Sequence, residues 1–194
     1  MSAADLHLSP EERAVFADRS FMPVKARVCA KIEASLALLR EDIRSYIAHH
    51  QEIPAELRSS AGKISRGENY HSYSYRVLDY PSLFAGEDLF TFRTVALWGM
   101  PFGFHLILSG TWLDRWQVPE MLSKLPEGFL IATHASPWVW EPEGFVPPDA
   151  ETALRLISQH KYLKISYFLA MDQYDLLPET GLRIWKMWQE LLFE

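Results

Sequence analysis

From Val24 to about His50, the apolar residues Ile32, Leu36, Leu39, Ile43, Tyr46 and Ile47 recur every three or four positions. That spacing puts side chains on one stripe of an α-helix. Lys31, Arg40, Glu41 and Arg44 fall on the opposite side. The pattern predicts a long amphipathic helix, opened by Pro23, with its stripe packed on a core. Cys29 on this helix reads as a small buried hydrophobe, since nothing around it marks an activated thiol. A shorter helix precedes it. Ser9 is placed to cap, Pro10 fits a first turn, Glu12 closes a capping box, and the helix ends near Ser20. Residues 1–8 read as a loose tail. Ile53-Pro54 breaks the long helix, and Pro54 to Arg58 forms one further turn. Asp149 caps a helix from about Ala150 to His160, with Ala153, Leu154, Leu156 and Ile157 facing inward. Pro178 opens the last helix, whose stripe is Ile184, Trp185, Trp188, Leu191 and Leu192.

Between these helices the period changes to two. Tyr73 to Tyr80 alternates as a strand, with Tyr73, Tyr75, Val77 and Asp79 on one face and Ser74, Arg76, Leu78 and Tyr80 on the other. Pro81 is expected to end it, and Gly62 and Gly67 bracket a polar approach segment before it. Phe84 to Asp88 reads as a loop. Leu89–Trp98 and Phe102–Ser109 are the strongest strands, rich in Phe, Thr, Val, Leu and Ile. A two-residue turn at Gly99-Met100 would set Arg93 opposite Leu106 and Thr94 opposite His105. A slip of one residue would exchange the two faces. Trp112 to Leu125 reads as one or two short helices. Phe129–Thr133 and Tyr162–Met171 complete about five strands, and residues 135–148 form a loop with four prolines. Short turns between the middle strands favour an antiparallel sheet. The expectation is a single α+β domain over residues 1–194. Its sheet packs under the long N-terminal helix and the C-terminal helices, and its other face is partly open to a ligand.

The chain has 194 residues, 48% of them hydrophobic, enough to bury a core without staples. Nineteen Lys and Arg against 25 Asp and Glu leave a net charge of −6, which argues against a nucleic-acid partner. One cysteine excludes an intramolecular disulfide and a Cys-rich zinc site. The first residues lack the basic-then-apolar order of a secretory signal, and no run approaches 18 apolar residues. The expected location is cytoplasmic, with no membrane partner.

Phosphate loops, dinucleotide turns, H-E-x-x-H and G-x-S-x-G are all absent from the sequence. The candidate ligand-binding constellation is Arg66, Glu68, Asn69, Tyr70, Tyr75, Asp79 and Arg93, with His105 nearby. Two Arg can hold an anion and Tyr hydroxyls can orient it. Arg93 is the most informative residue, because a charge inside an apolar strand needs a counter-charge. Either Asp79 supplies it in a structural ion pair, or a ligand does. His105 and His134, with Glu68 or Asp79, could serve as metal ligands or a general base, but no short ligand spacing supports a metal. Neither metal nor cofactor is expected. Trp98, Trp112, Trp116, Trp138 and Trp140 can line a pocket or an interface, or simply pack.

Arg66-Gly67-Glu68-Asn69-Tyr70, Val77-Leu78-Asp79-Tyr80-Pro81, Phe92-Arg93-Thr94 and Trp98-Gly99 together resemble an uncharacterised bacterial protein family. The resemblance covers about 45 central residues and implies no activity. A looser similarity, in the order of elements, is to the YktB-like proteins of unknown function, and it bears on fold alone. Three functions follow as expectations. The first is binding of a small anionic molecule or a partner segment at the Arg/Asp/Tyr cluster. The second is a hydrolase or transferase using His105 or Glu68 as general base. The third is a structural protein acting as a homodimer through its aromatics and an exposed sheet edge.

Overall fold

The computed structural model describes residues 6–193, so residues 1–5 of the expected tail lie outside the described residues. Helix α1 (Pro10–Ala17) starts with the expected box: the Ser9 side chain accepts from Glu12 N, and Glu12 accepts from Ser9 N. Helix α2 (Phe21–Ala48) begins three residues before Val24, with Pro23 inside its first turn. Its stripe is buried at Cys29, Leu36, Leu39, Ile43 and Ile47. Helix α3 (Ala55–Arg58) is the single turn after Pro54.

The sheet has seven strands, not about five. They are β1 (Lys63–Tyr70), β2 (Tyr73–Ala85), β3 (Asp88–Leu97), β4 (Phe102–Ser109), β5 (Leu130–Ala132), β6 (Phe145–Val146) and β7 (Tyr162–Leu169). Every pairing is antiparallel, in the order β1-β2-β3-β4-β7-β5-β6. The segment read as an approach is the edge strand β1. Its polar run hides any alternation, because an edge strand can keep much of its surface in water. The loop at 135–148 contains the two-residue strand β6, too short to leave a pattern.

Strand β2 does not end at Pro81. It continues to Ala85, past a cis Tyr80–Pro81 peptide. The register against β3 shifts between Asp79 and Ser82, and this bulge takes the proline, which lacks an N–H, out of the ladder. The β2–β3 turn is correspondingly shorter than the expected Phe84–Asp88 loop.

The β3–β4 register also differs from the expected one. Arg93 pairs with His105 and Thr94 with Phe104. Gly99 adopts φ +78° and Met100 N donates to Leu97 O (3.0 Å), so the turn takes up one residue more than a two-residue loop. That one-residue shift places His105 on the face of Arg93 and sends Phe104 and Leu106 to the other.

The face carrying Leu78, Tyr80, Phe90, Phe92, Phe104 and Leu106 is buried under α2 and the last helix, α6 (Leu177–Phe193). Helices α4 (Val118–Ser123) and α5 (Ala150–His160) join the same core through Val118, Met121, Leu122, Ala153 and Leu156. Asp149 caps α5 through Thr152 N, as its position predicts, but Leu154 points out and is 49% exposed. Helix α6 (Leu177–Phe193) buries Ile184, Trp185, Trp188 and Leu192. No helix of the described residues is long and apolar enough to cross a membrane. The opposite sheet face is not open: residues from the segment 134–145 lie across it.

Candidate functional site

The constellation expected around Arg93 divides between the two faces, because alternation along β2 and β1 sends neighbours to opposite sides. Arg66 and Glu68 turn towards α2. Arg66 lies 3.6 Å from Glu33, Glu68 bonds Lys25 (2.6 Å), and Arg76 bonds Glu33 (2.6 Å) and Glu68 (3.3 Å). The bond from Lys25 holds the Glu68 carboxyl below its usual range against the opposing effect of burial, with Ser74 and Arg76 helping. That weakens Glu68 as a base. Asn69 is exposed on β1.

Tyr70, Tyr75, Asp79, Arg93 and His105 belong to the other face. Arg93 is held by Asp79 through two bonds, Nε to Oδ1 (2.6 Å) and Nη2 to Oδ2 (3.0 Å), and Thr91 also donates to Oδ1 (3.2 Å). Both side chains are about nine-tenths buried, at 11% and 8% exposure. The guanidinium also lies 4.5 Å from the Trp138 ring centre. Arg93 therefore has its counter-charge within the chain.

The register brings further polar residues into line with this pair. His105 pairs with Ser166 across β4 and β7, and its Nδ1 is 2.7 Å from the Ser166 Oγ. Lys164, two residues earlier on β7, shares that face. His105, Ser166 and Lys164 are all 1% exposed or less. Burial drives His105 well below its ordinary value, and Arg93 and whatever charge Lys164 carries act in the same direction, so the ring is neutral. Its Nε2 has no hydrogen-bond partner among the described residues, and a Cβ built at Gly103 would run into that atom. The ring thus occupies space that only a glycine leaves free.

The segment above this row is anchored at both ends. Tyr162 donates to His134 O (2.5 Å). At the far end Tyr70 donates to Glu141 (2.7 Å), His71 Nδ1 lies 2.6 Å from the same carboxylate, and Trp140 N donates to Tyr70 (3.0 Å). Burial pushes Glu141 upward, but the bonds from Tyr70, its own backbone, His71 and Trp140 N outweigh it and hold the group down to about 2. His134 and His105 are separated by the Phe145 ring, and no cluster of His, Cys, Asp or Glu among the described residues could hold a metal ion.

On the α2 side, where α6 no longer covers the sheet, a cavity of about 610 Å³ opens between α2, the β3–β4 turn and a 3₁₀ turn at Met171–Leu176. Val24, Val28, Ile32, Leu97, Trp98 and Met100 give it apolar walls, with Ser74, Arg76 and Asp175 as polar points. A groove of about 380 Å³ lined by Lys25, Glu33, Arg66, Glu68 and Arg76 adjoins it, with Arg76 and Cys29 in both walls. Of the residues missed from sequence, Lys164 carried the clearest signal: it interrupts an apolar strand just as Arg93 does. The cavity walls come from separate elements and left no local signal.

No protein-family model, curated protein or solved structure matches the chain.

Proposed function

We propose that the protein binds a small molecule with an apolar body and an anionic group in the cavity between α2 and the β3–β4 turn. The cavity itself carries this reading: about 610 Å³ of largely apolar wall lies within the usual range of ligand sites, with a few polar groups at one side. The anionic group is assigned from charge. Lys25, Lys31, Arg66 and Arg76 line the cavity and its adjoining groove, against Glu33, Glu68 and Asp175. Arg76 has only 9% of its side chain exposed, while its partner Glu68 is 58% exposed and can give way to a ligand anion. The anion site expected at Arg66 and Arg93 thus keeps Arg66 and takes Arg76 in place of Arg93.

The probes are 1-anilinonaphthalene-8-sulfonate and its uncharged relative N-phenyl-1-naphthylamine, each titrated and followed by emission. The sulfonate is expected to bind saturably at one site and more tightly than the neutral probe. Val28→Trp, at a helix position 38% exposed, should fill the cavity and abolish binding of both without unfolding the protein. Equal affinity for the two probes would remove the anionic group from the proposal. Binding that survives Val28→Trp would remove the cavity.

A further inference from the structure

Lys164 is a lysine in the middle of a sheet, 1% exposed, and no carboxylate among the described residues pairs with it. Its Nζ donates to two backbone carbonyls, Pro137 O (3.2 Å) and Val139 O (2.5 Å). A neutral amine has two N–H groups and one lone pair, so these carbonyls use its donors and leave the lone pair unengaged. An ammonium would bring a third N–H that finds only the Phe145 ring, 5.2 Å away. The charged and titratable groups around it are Arg93 on β3, His105 on β4, and His134 and Glu141 on the covering segment. Burial, with Arg93 adding to it and Glu141 pulling the other way, brings Lys164 down to about 7.

The chain above Lys164 is the segment that supplies these two carbonyls. Pro137 and Trp138, whose neighbouring carbonyls hold the amine, also line a cleft of about 780 Å³ on the outer side with Phe84, Asp88, His160 and Tyr162. Pro137 and Trp138 thus belong both to the cover over the amine and to the wall of that cleft. The layer is fastened at its ends, by Tyr162 to His134 and by Tyr70 and His71 to Glu141. Its middle rests on Lys164 and on the stack of Trp138 over Arg93. Beneath it, His105 Nε2 is a buried polar atom without a hydrogen-bond partner among the described residues.

We propose that residues 134–141 form a lid and that Lys164 is the nucleophile of a carbonyl-binding site beneath it, taking aromatic aldehydes or ketones from the cleft. The Nζ lone pair attacks the carbonyl carbon and the C–N bond forms. Both amine protons pass to the carbonyl oxygen, which leaves as water, and an imine to Lys164 remains. No oxidant or reductant is needed. The rings of Trp138, Phe145, Phe84 and Tyr162 select an aromatic carbonyl compound.

The test is reductive trapping with benzaldehyde and cyanoborohydride at pH 7, read by peptide mass mapping on protein shown to be folded by circular dichroism. A lysine near 7 holds roughly a thousand times more free amine at that pH than an ordinary one, so an adduct at Lys164 at least ~10-fold faster than at Lys25, Lys31, Lys63, Lys124, Lys161 or Lys186 is expected. Glu141→Gln, which loosens one fastening, should speed the Lys164 adduct several-fold and leave the surface lysines unchanged. A selective adduct in either protein supports the lid and nucleophile. An adduct at Lys164 that is absent, or no faster than at the surface lysines, in both proteins overturns the proposal and leaves Lys164 as a structural clamp.

Discussion

Replacing Asp79 with Asn keeps the shape of the side chain and removes its charge, leaving Arg93 buried without a counter-ion. The pair is about nine-tenths buried on both sides and bidentate, at 2.6 and 3.0 Å. Breaking a buried pair from one side costs about 3–5 kcal/mol, because the remaining charge stays desolvated. The stack on Trp138, at 4.5 Å, supplies only ~0.5–2 kcal/mol and cannot take the carboxylate's place. For a chain of this size the loss corresponds to a fall in Tm of about 6–20 °C. Arg93→Met should cost a comparable amount by stranding Asp79. The double variant, Asp79→Asn with Arg93→Met, removes both charges and should be more stable than the sum of the single losses by ~1–3 kcal/mol. Urea unfolding at pH 7, followed by tryptophan emission and far-UV circular dichroism, measures all four proteins. A loss below ~1 kcal/mol for Asp79→Asn, or strict additivity in the cycle, would refute the ion pair as the partner of Arg93.

Gly103→Ala should destabilise by about 1–3 kcal/mol in the same unfolding assay, because the new methyl runs into His105 Nε2 and pushes the ring away from Ser166. Glu141 gives a pH dependence of definite sign. Its folded value, about 2, lies below the ordinary 4.5, so its contribution is complete above about 4.5 and is lost as pH falls from there towards 2. Glu141→Gln should flatten the stability–pH curve in that window by roughly 1–3 kcal/mol, and an unchanged curve would place the acid sensitivity elsewhere.

The helices were legible because their burial is one-sided: a stripe such as Leu36, Leu39, Ile43 and Ile47 repeats at the helical period and needs no knowledge of its partner. The same holds for the Asp149 cap, a local bond to Thr152 N. The sheet was legible in its centre and lost at its margins. β1 is polar along most of its length because it is an edge, and β6 is two residues long. Pro81 looked like a stop because a ladder cannot use it, and only the bulge beside it lets β2 continue. Arg93 and Asp79 were readable as partners, since a charge in an apolar strand asks for its opposite. Whether His105 joined them depended on the backbone angle of Gly99, which no periodicity reports. Lys164 announced itself as Arg93 did, in Tyr162-Leu163-Lys164-Ile165-Ser166, but what meets it is a pair of carbonyls 25 and 27 residues earlier.

The order of the sheet also divides the buried polar row in time. Strands β1 to β4 follow one another in space as they do along the chain, so Asp79, Thr91 and Arg93 meet through short loop closures. Strand β7 reaches β4 only across the whole of residues 110–161, and that stretch contains the segment that covers the row. A nucleus built on the meander is expected to hold the ion pair while Lys164 and Ser166 are still hydrated. Dehydration of the amine is then a late step, reached when β7 docks. In a chevron plot, changes at Asp79 or Arg93 belong to the folding limb and changes at Lys164 to the unfolding limb.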